Sequence, residues 1–372
     1  MTARTDVFIV GGGPAGLAAA IATRKKGFDV VVADGASAPI EKACGEGLMP
    51  DTLSVLRQLG VEIGGEDGFQ FSGIRFLEGA TCVDACFPHG VGVGVRRPLL
   101  HKKLIQVAEV LGVNLLWNTP ATGISEEGVQ AGGRYIRSRW IVGADGFSSL
   151  VAKWSGLDAA LRSSRRFARQ IHYSVAPWSE FVEIYWGQDS QAYITPVGKH
   201  EVCVVMMCHD PHARMEDLLE EHPALVAHLS HADITTTERG AVTAMHKLSR
   251  VTRGNVILIG DASGGVDAIT GEGLRLGFEQ AFALAEALEA DDLRIYERRH
   301  GAMARRPEWV GRLMLLLGGR PGLRRRTMSA FSKSPGLFAE MLATHAGQSS
   351  PRRLAATGAR LSWKILTAER GE

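Results

Sequence analysis

Short apolar runs bounded by glycine punctuate this chain of 372 residues, and between them lie longer stretches whose apolar positions recur every three or four residues. That alternation predicts buried strands joined by helices. Residues 7–10 (VFIV) form the first run, and the Ala-rich stretch LAAAIATRKK after it predicts a helix that stops at Gly27. The run DVVVADG follows. Two more, RWIVGADG over 139–146 and GNVILIGD over 254–261, lie far along the chain, the second leading into an amphipathic helix that reaches Leu288. A different pattern fills the intervals. The segments GIRFLEG, TCVDACF, RQIHYSV, FVEIYWG, QAYITPVG and EVCVVMMC are rich in β-branched and aromatic residues and predict a mostly antiparallel sheet with one face covered. Residues 210–232 read as a helical excursion. Residues 301–366 alternate apolar and Arg clusters, which Pro307, Pro321, Pro335 and Pro351 are expected to break into short helices.

The first run ends in GGGPAG over 11–16, so strand, glycine-rich turn and helix stand in the order that a dinucleotide-binding turn requires. Gly11 permits the tight turn, Gly13 lets the backbone approach a pyrophosphate, and Gly16 lets the helix lie close on the strand. The helix opening at Pro14 and Ala15 turns its free N–H groups toward the phosphates. Asp34, followed by Gly35, ends the second run and is placed to accept hydrogen bonds from a ribose. NAD and FAD sites share this opening. At two later strand ends, Asp145-Gly146 and Gly260-Asp261 put an acid where a ribityl hydroxyl can reach it. The loop TGEG over 270–273 and the helix after it present backbone N–H groups to an electron-rich ring edge.

Carrying GGGPAG, a D-G-x-x-S element at Asp145, Gly146 and Ser149, and the Gly260-Asp261 pair in this order, the chain resembles the FAD-dependent oxidoreductases of the para-hydroxybenzoate hydroxylase superfamily. That superfamily includes group A monooxygenases, geranylgeranyl reductases and flavin-dependent halogenases. The resemblance implies an α/β fold with a Rossmann-like FAD-binding domain, a mostly antiparallel substrate domain and a helical C-terminal tail. The separation of the motifs makes the FAD-binding domain discontinuous, over 1–68, 95–156 and 250–300, with the substrate domain in 69–94 and 157–249 and the basic helical region in 301–372. By carry-over, Gly11, Gly13, Pro14, Ala15 and Gly16 meet the pyrophosphate and Asp34 and Gly35 the adenosine ribose. Asp145, Gly260 and Asp261 belong to the ribityl side, while Gly271, Gly273 and Leu274 offer N–H groups to the pyrimidine edge. Arg97, in RRPLLHKKL, matches a flavin-side Arg of the family. Three departures stand out: Asp34 replaces the usual Glu, Ala152 and Lys153 follow Val151 where the family has Arg, and Ala268 replaces a Pro.

The segment EKACGEGLMP over 41–50 resembles the C-G-E-G-L loop of geranylgeranyl reductases, which implies that Lys42, Cys44, Gly45 and Glu46 lie beside the isoalloxazine. Cys44, Glu46 and Glu272 are the candidate catalytic residues. Cys44 is either redox-active, with a neighbour such as Lys42 lowering its pKa, or a small residue in a tight turn. Glu272 either relays a proton or caps the helix that follows it. Tyr185, Tyr193, Met206 and His246, with Trp186 and Met207, are the candidates for an apolar substrate site. QAYITP stands where geranylgeranyl reductases carry Y-x-W-x-F-P, with Gln191, Tyr193 and Thr195 at the aromatic places, and the halogenase element W-x-W-x-I-P is missing. The leading expectation is an FAD-dependent monooxygenase that uses NAD(P)H and O2 to hydroxylate a lipophilic or aromatic, polyketide-like small molecule. The alternative is a geranylgeranyl reductase-like flavoprotein that reduces C=C bonds of a prenyl or other lipid. No second dinucleotide turn is visible, so NAD(P)H would act as a transient electron donor.

Composition bears on partners more than on fold. With 45% hydrophobic and 22% charged residues the chain is expected to build an ample core. Five Cys at irregular spacings and no charged-then-apolar leader predict a reduced, cytoplasmic protein without disulfides. Cys82 and Cys86 lack further ligands at suitable spacing, so no metal is expected. Net charge is only +2, but residues 298–372 carry 15 Lys or Arg against 4 Asp or Glu. That tail reads first as a solvated helical surface, and second as a face for an acidic partner or for anionic lipid heads in peripheral contact at the inner membrane face; no nucleic acid beyond the dinucleotide cofactor is expected.

Overall fold

Two large sheets carry the fold in a computed structural model that describes residues 4–158, 160–162, 165–347, 357, 358, 360 and 364. In the first sheet Arg4–Val10 lies between Val30–Ala33 and Arg134–Gly143, and Asn114–Leu116 and Val256–Leu258 extend it, all in parallel. Thr252–Arg253 closes one edge antiparallel. The central strand is apolar at every position from Val7 to Val10 because both its faces are covered. Val7 and Ile9 meet α1 (Pro14–Lys25), α2 (Pro50–Leu59) and α3 (Arg97–Val110). Phe8 and Val10 meet the strand pair Ala121–Ser125 and Gly128–Ala131 and the short α4 (Leu150–Trp154).

The second sheet runs in the order Asp233–Ile234, Arg166–Ser174, Glu201–Cys208, Ser190–Gly198, Phe181–Trp186, Gly73–Glu78, Thr81–Cys86. Its pairings are antiparallel except where Phe181–Trp186 joins Gly73–Glu78, the seam between two separate stretches of chain. Residues 210–232 form α5 (Met215–Glu220) and α6 (Pro223–Leu229), which cover one face through Ile171, Val204 and Met206. All six predicted strand segments lie in this sheet, five of them inside it and Thr81–Cys86 at its edge, with their alternate residues facing opposite sides.

Beyond α7 (Gly273–Glu289) the chain continues as α8 (Leu293–Gly318), α9 (Pro321–Lys333) and α10 (Pro335–His345). The expectation that Pro307 breaks a helix is corrected: α8 runs unbroken through it for 26 residues, and through residue 300 as well. Pro307 lacks the N–H that would bond one carbonyl of the preceding turn. The loss is local, while Pro307, Gly311, Met314 and Leu317 are all buried along the same face, so apolar packing carries the helix past it. Pro321 and Pro335 behave as expected and open α9 and α10, where a missing N–H costs nothing. Pro351 lies outside the described residues. No described helix is long and apolar enough to cross a membrane.

These last helices close over the second sheet, with Met314, Phe331, Phe338 and Leu342 against Phe71, Phe76, Ile184 and Trp186. One polar anchor crosses that apolar contact. Arg324 is buried, donates through Nε to Glu78 at 2.7 Å and through Nη2 to the Gly187 carbonyl at 3.0 Å, and its guanidinium lies 5.4 Å from the Trp186 ring. Removing one member of a buried pair strands the other charge. Arg324→Met is expected to lower stability by about 3–5 kcal/mol, read from the denaturant midpoint, and to expose α9 first in limited proteolysis. An unchanged midpoint would show that apolar contact alone holds the helix.

Candidate active site

The glycine-rich turn takes the form that its spacing implies. Gly11 has φ +107°, and a Cβ there would sit 2.5 Å from the Ala144 carbonyl oxygen, while one at Gly16 would sit 1.9 Å from that of Gly11. Gly13 has open space instead, as do Gly45, Gly271 and Gly273. Asp34 accepts hydrogen bonds from the Gly12 N–H at 2.7 Å and the Ala36 N–H at 2.8 Å, which fixes its carboxylate at the rim of the groove. Gly260 donates its N–H to Gln280, and Asp261 pairs with Lys42 at 3.2 Å. Asp145 is committed elsewhere. It accepts from Ser149 Oγ and from the N–H groups of Leu150 and Val151, so the carboxylate anchors the start of α4 in place of the absent Arg partner. Gly11, Gly13, Asp34, Lys42, Gly45, Asp145, Gly260, Asp261, Gly271 and Gly273 line one cavity of about 620 Å³.

The CGEG loop is the cavity's inner edge, and it is held from beneath by the second sheet. Glu46 is buried with φ +58°. Its Oε1 accepts from the Arg97 N–H at 2.7 Å, its Oε2 lies 2.7 Å from His172 Nε2, and Arg96 Nε is 3.8 Å away. Gln170 donates to the Cys44 carbonyl at 2.6 Å. Cys44 itself lines the cavity, with its Sγ 3.7 Å from the Arg97 guanidinium. His172 and Cys203 are cross-strand partners, and Gln170 shares the face of His172 two residues away. The ligand-type atoms of Glu46, His172 and Cys203 all lie within 4.8 Å of one another. Burial pushes the Cys203 thiol well up, which keeps it protonated. Strand alternation signals that Gln170 and His172 share a face, but nothing in the sequence says that this face meets the CGEG loop.

Glu272 does not cap α7: its side chain makes no capping bond. It lies wholly buried among basic side chains instead, with Oε1 3.0 Å from His345 Nδ1 of α10, Oε2 paired with Arg275, and Arg306 of α8 at 3.6 Å. Arg275 also pairs with Glu279 and lies 3.4 Å from Asp51 of α2. Burial works against ionisation of Glu272, yet His345, Arg275 and Arg306 outweigh it and hold the carboxyl down at about 2. For Asp51 burial wins, and its pKa is raised. His345 also lines the cavity, so α10 reaches the TGEG loop through this pair.

The far end of the cavity is an apolar chamber between the second sheet and the C-terminal helices. Tyr193, Val205 and Met207 line it from the sheet, and Val310, Leu313, Met314, Leu317, Phe331 and Phe338 from the helices. Two candidate substrate residues are corrected by strand parity. Met206 and Tyr185 point to the opposite face, Met206 toward α5 and α6, and Tyr185 with its hydroxyl donating to Glu183 at 2.7 Å. His246 does not line the chamber either. It packs edge-on to Phe147, ring centroids 5.0 Å apart, and lines a separate cavity of about 240 Å³. The Tyr193 hydroxyl is buried without a hydrogen-bond partner among the described residues, and burial raises its pKa, so it remains a neutral donor.

Comparison with known proteins agrees with this geometry. Residues 4–291 match the FAD binding domain family. The menaquinone reductase of Mycobacterium tuberculosis is 30% identical over 329 residues, covering 77% of this chain and 77% of its own. The digeranylgeranylglycerophospholipid reductase of Thermoplasma acidophilum is 26% identical, over 77% of this chain and 79% of its own. FAD-dependent monooxygenases also stand among the relatives. A flavoprotein/dehydrogenase from Cytophaga hutchinsonii shares the fold, with a TM-score of 0.80 at 19% identity over 92% of each chain.

Two outcomes follow from the glycines and the buried acid. Gly13→Val should weaken FAD binding at least about tenfold in a fluorescence titration while the apoprotein keeps its thermal midpoint, whereas Gly16→Ala should destabilise the apoprotein by about 1–3 kcal/mol or more because the helix must move. Glu272 has a depressed pKa in the folded state, so its contribution is full above the ordinary carboxyl pKa and fades as pH falls toward about 2. Wild type should therefore lose stability between about pH 4.5 and 2, and Glu272→Gln should flatten that limb of a pH-dependent unfolding curve. An identical acid limb in both proteins would refute the role given to this pair.

Proposed function

The chain belongs to the FAD binding domain family and is an FAD-dependent oxidoreductase, and from that premise we propose that it reduces carbon–carbon double bonds of a prenyl or related lipid. The single observation that carries this reading is the apolar chamber continuous with the dinucleotide groove. Its walls are mostly Phe, Met, Leu, Ile and Val side chains, the surface that a hydrocarbon chain seeks, with Tyr193 and Trp309 among them. The reductase relatives point the same way, and hydroxylation of a polyketide-like substrate, which the motifs alone favoured, becomes the weaker reading.

The groove fits FAD because its glycines leave open backbone where side chains would block it, and because α1 and α7 both open onto it. The turn over 11–16 would hold the pyrophosphate, Asp34 the ribose, Asp261 with Lys42 the ribityl chain, and the N–H groups of Gly273 and Leu274 the ring edge. When bound, FAD supplies the hydride that a double bond must accept, with NAD(P)H as the proposed transient source of electrons. The chain's own residues do the rest. The chamber aligns the lipid and excludes water. The second alkene carbon needs a proton, and Cys44, Tyr193 and His345 are protic side chains on the cavity wall. Tyr193, donating from an otherwise unpartnered hydroxyl, would orient an oxygen of the substrate.

The test uses the purified yellow protein, reduced chemically without oxygen and mixed with menaquinone or a geranylgeranyl lipid. Mass spectrometry should show products carrying two added hydrogens for each bond reduced, formed as the flavin reoxidises. A product that appears only with O2 and carries isotopically labelled oxygen would restore the hydroxylation reading.

A further inference from the structure

Helix α8 has two dissimilar faces. Val310, Met314 and Leu317 turn into the chamber, whereas Arg305, Trp309, Arg312 and Leu316 recur at intervals of four, three and four along the outside and are all exposed. Trp309 keeps 44% of its surface accessible and Leu316 41%, large values for apolar side chains on a helix whose other face is buried. Alternating Arg with Trp and Leu along one stripe suits a water–lipid boundary: the apolar groups enter the acyl layer while the guanidinium groups stay at the headgroups. Charge supports the same occupant. Residues 309–339 contain six Lys or Arg and no Asp or Glu. Only Arg324 among them is buried, and Arg320, Arg325 and Lys333 are exposed close to the stripe in sequence. The one acid beside it, Glu308, is already engaged by Lys247 at 3.3 Å and Arg312 at 3.9 Å. Position is the third argument. Trp309 is both exposed and part of the chamber wall, which puts a mouth of the chamber at this stripe.

We propose that the outer stripe of α8 is a docking surface for an anionic lipid bilayer and that a prenyl lipid passes from the leaflet into the chamber beside Trp309. The passage rests on the function proposed above; the docking does not.

The experiment mixes the purified holoprotein with vesicles of phosphatidylcholine, with or without phosphatidylglycerol, and measures the bound fraction by flotation. Wild type should bind only the vesicles that contain phosphatidylglycerol and should be released by added salt. The combined variant Arg305→Glu, Arg312→Glu, Arg320→Glu should bind at least about tenfold more weakly, since each charge near such a surface is worth roughly fivefold. Its flavin content and thermal midpoint should match wild type, because these side chains are exposed. Trp309→Ala should weaken binding as well. Equal binding to both vesicle types, undiminished binding of the combined variant, or a stripe that proves to hold two copies of the chain together would each overturn the proposal. If wild type docks and the combined variant does not, yet neither reduces a prenyl lipid in detergent, docking stands and the functional reading falls.

Discussion

A buried carboxylate at Glu46 is the interaction on which the site depends. Its side chain is 2% exposed, and an unpaired charge at that depth would oppose folding, so its neighbours must answer it. They come from two parts of the fold: the Arg97 N–H and the Arg96 guanidinium at the start of α3, which packs on the first sheet, and His172 in the middle of the second sheet. Satisfying one acid therefore fixes the CGEG loop against both sheets at once. Cys44, Gly45 and Glu46 all border the groove, and Glu46, at positive φ, ties the loop down there through its buried carboxylate.

A second buried acid performs the matching task at the other side of the groove. Glu272 follows the open glycine Gly271 and meets Arg275 of α7, Arg306 of α8 and His345 of α10, so the TGEG loop and the C-terminal helices are aligned by the same acid. The apolar chamber exists because those helices are held at a distance from the sheet, with Arg324 bonded to Glu78 as a further tie. Burying ions is costly, and an apolar replacement of similar volume often gives more stability. What the ion pairs provide is a defined placement of helices whose apolar faces would pack in several ways.

The parts of the site visible in the sequence are those encoded within a few residues. GGGPAG is readable because a turn, a phosphate approach and a close helix each exclude a side chain at one position, and the open space at Gly13 beside the crowded Gly16 follows that division. The apolar runs are readable as strands for the same local reason. Tyr185 and Met206 show where such reading stops. Composition marks them as apolar, but only register with the neighbouring strands decides that Tyr193 and Met207 face the chamber while they face away. Pro307 is a second case, since its local penalty is outweighed by packing that lies elsewhere in the chain.

By itself, then, the sequence determined the dinucleotide turn, the order of strands and helices, the two-sheet α/β plan and the flavin, because each is written in short-range spacing or in a motif. The tertiary structure alone decided that His172, Gln170 and Cys203 brace the CGEG loop, that His345 and Arg306 meet Glu272, and that the basic tail roofs a lipophilic chamber with one face of α8 and exposes Trp309 on the other. Those contacts join residues separated by tens to hundreds of positions. No local pattern carries them, because a buried charge or an apolar face specifies what kind of partner it needs and not where along the chain that partner lies.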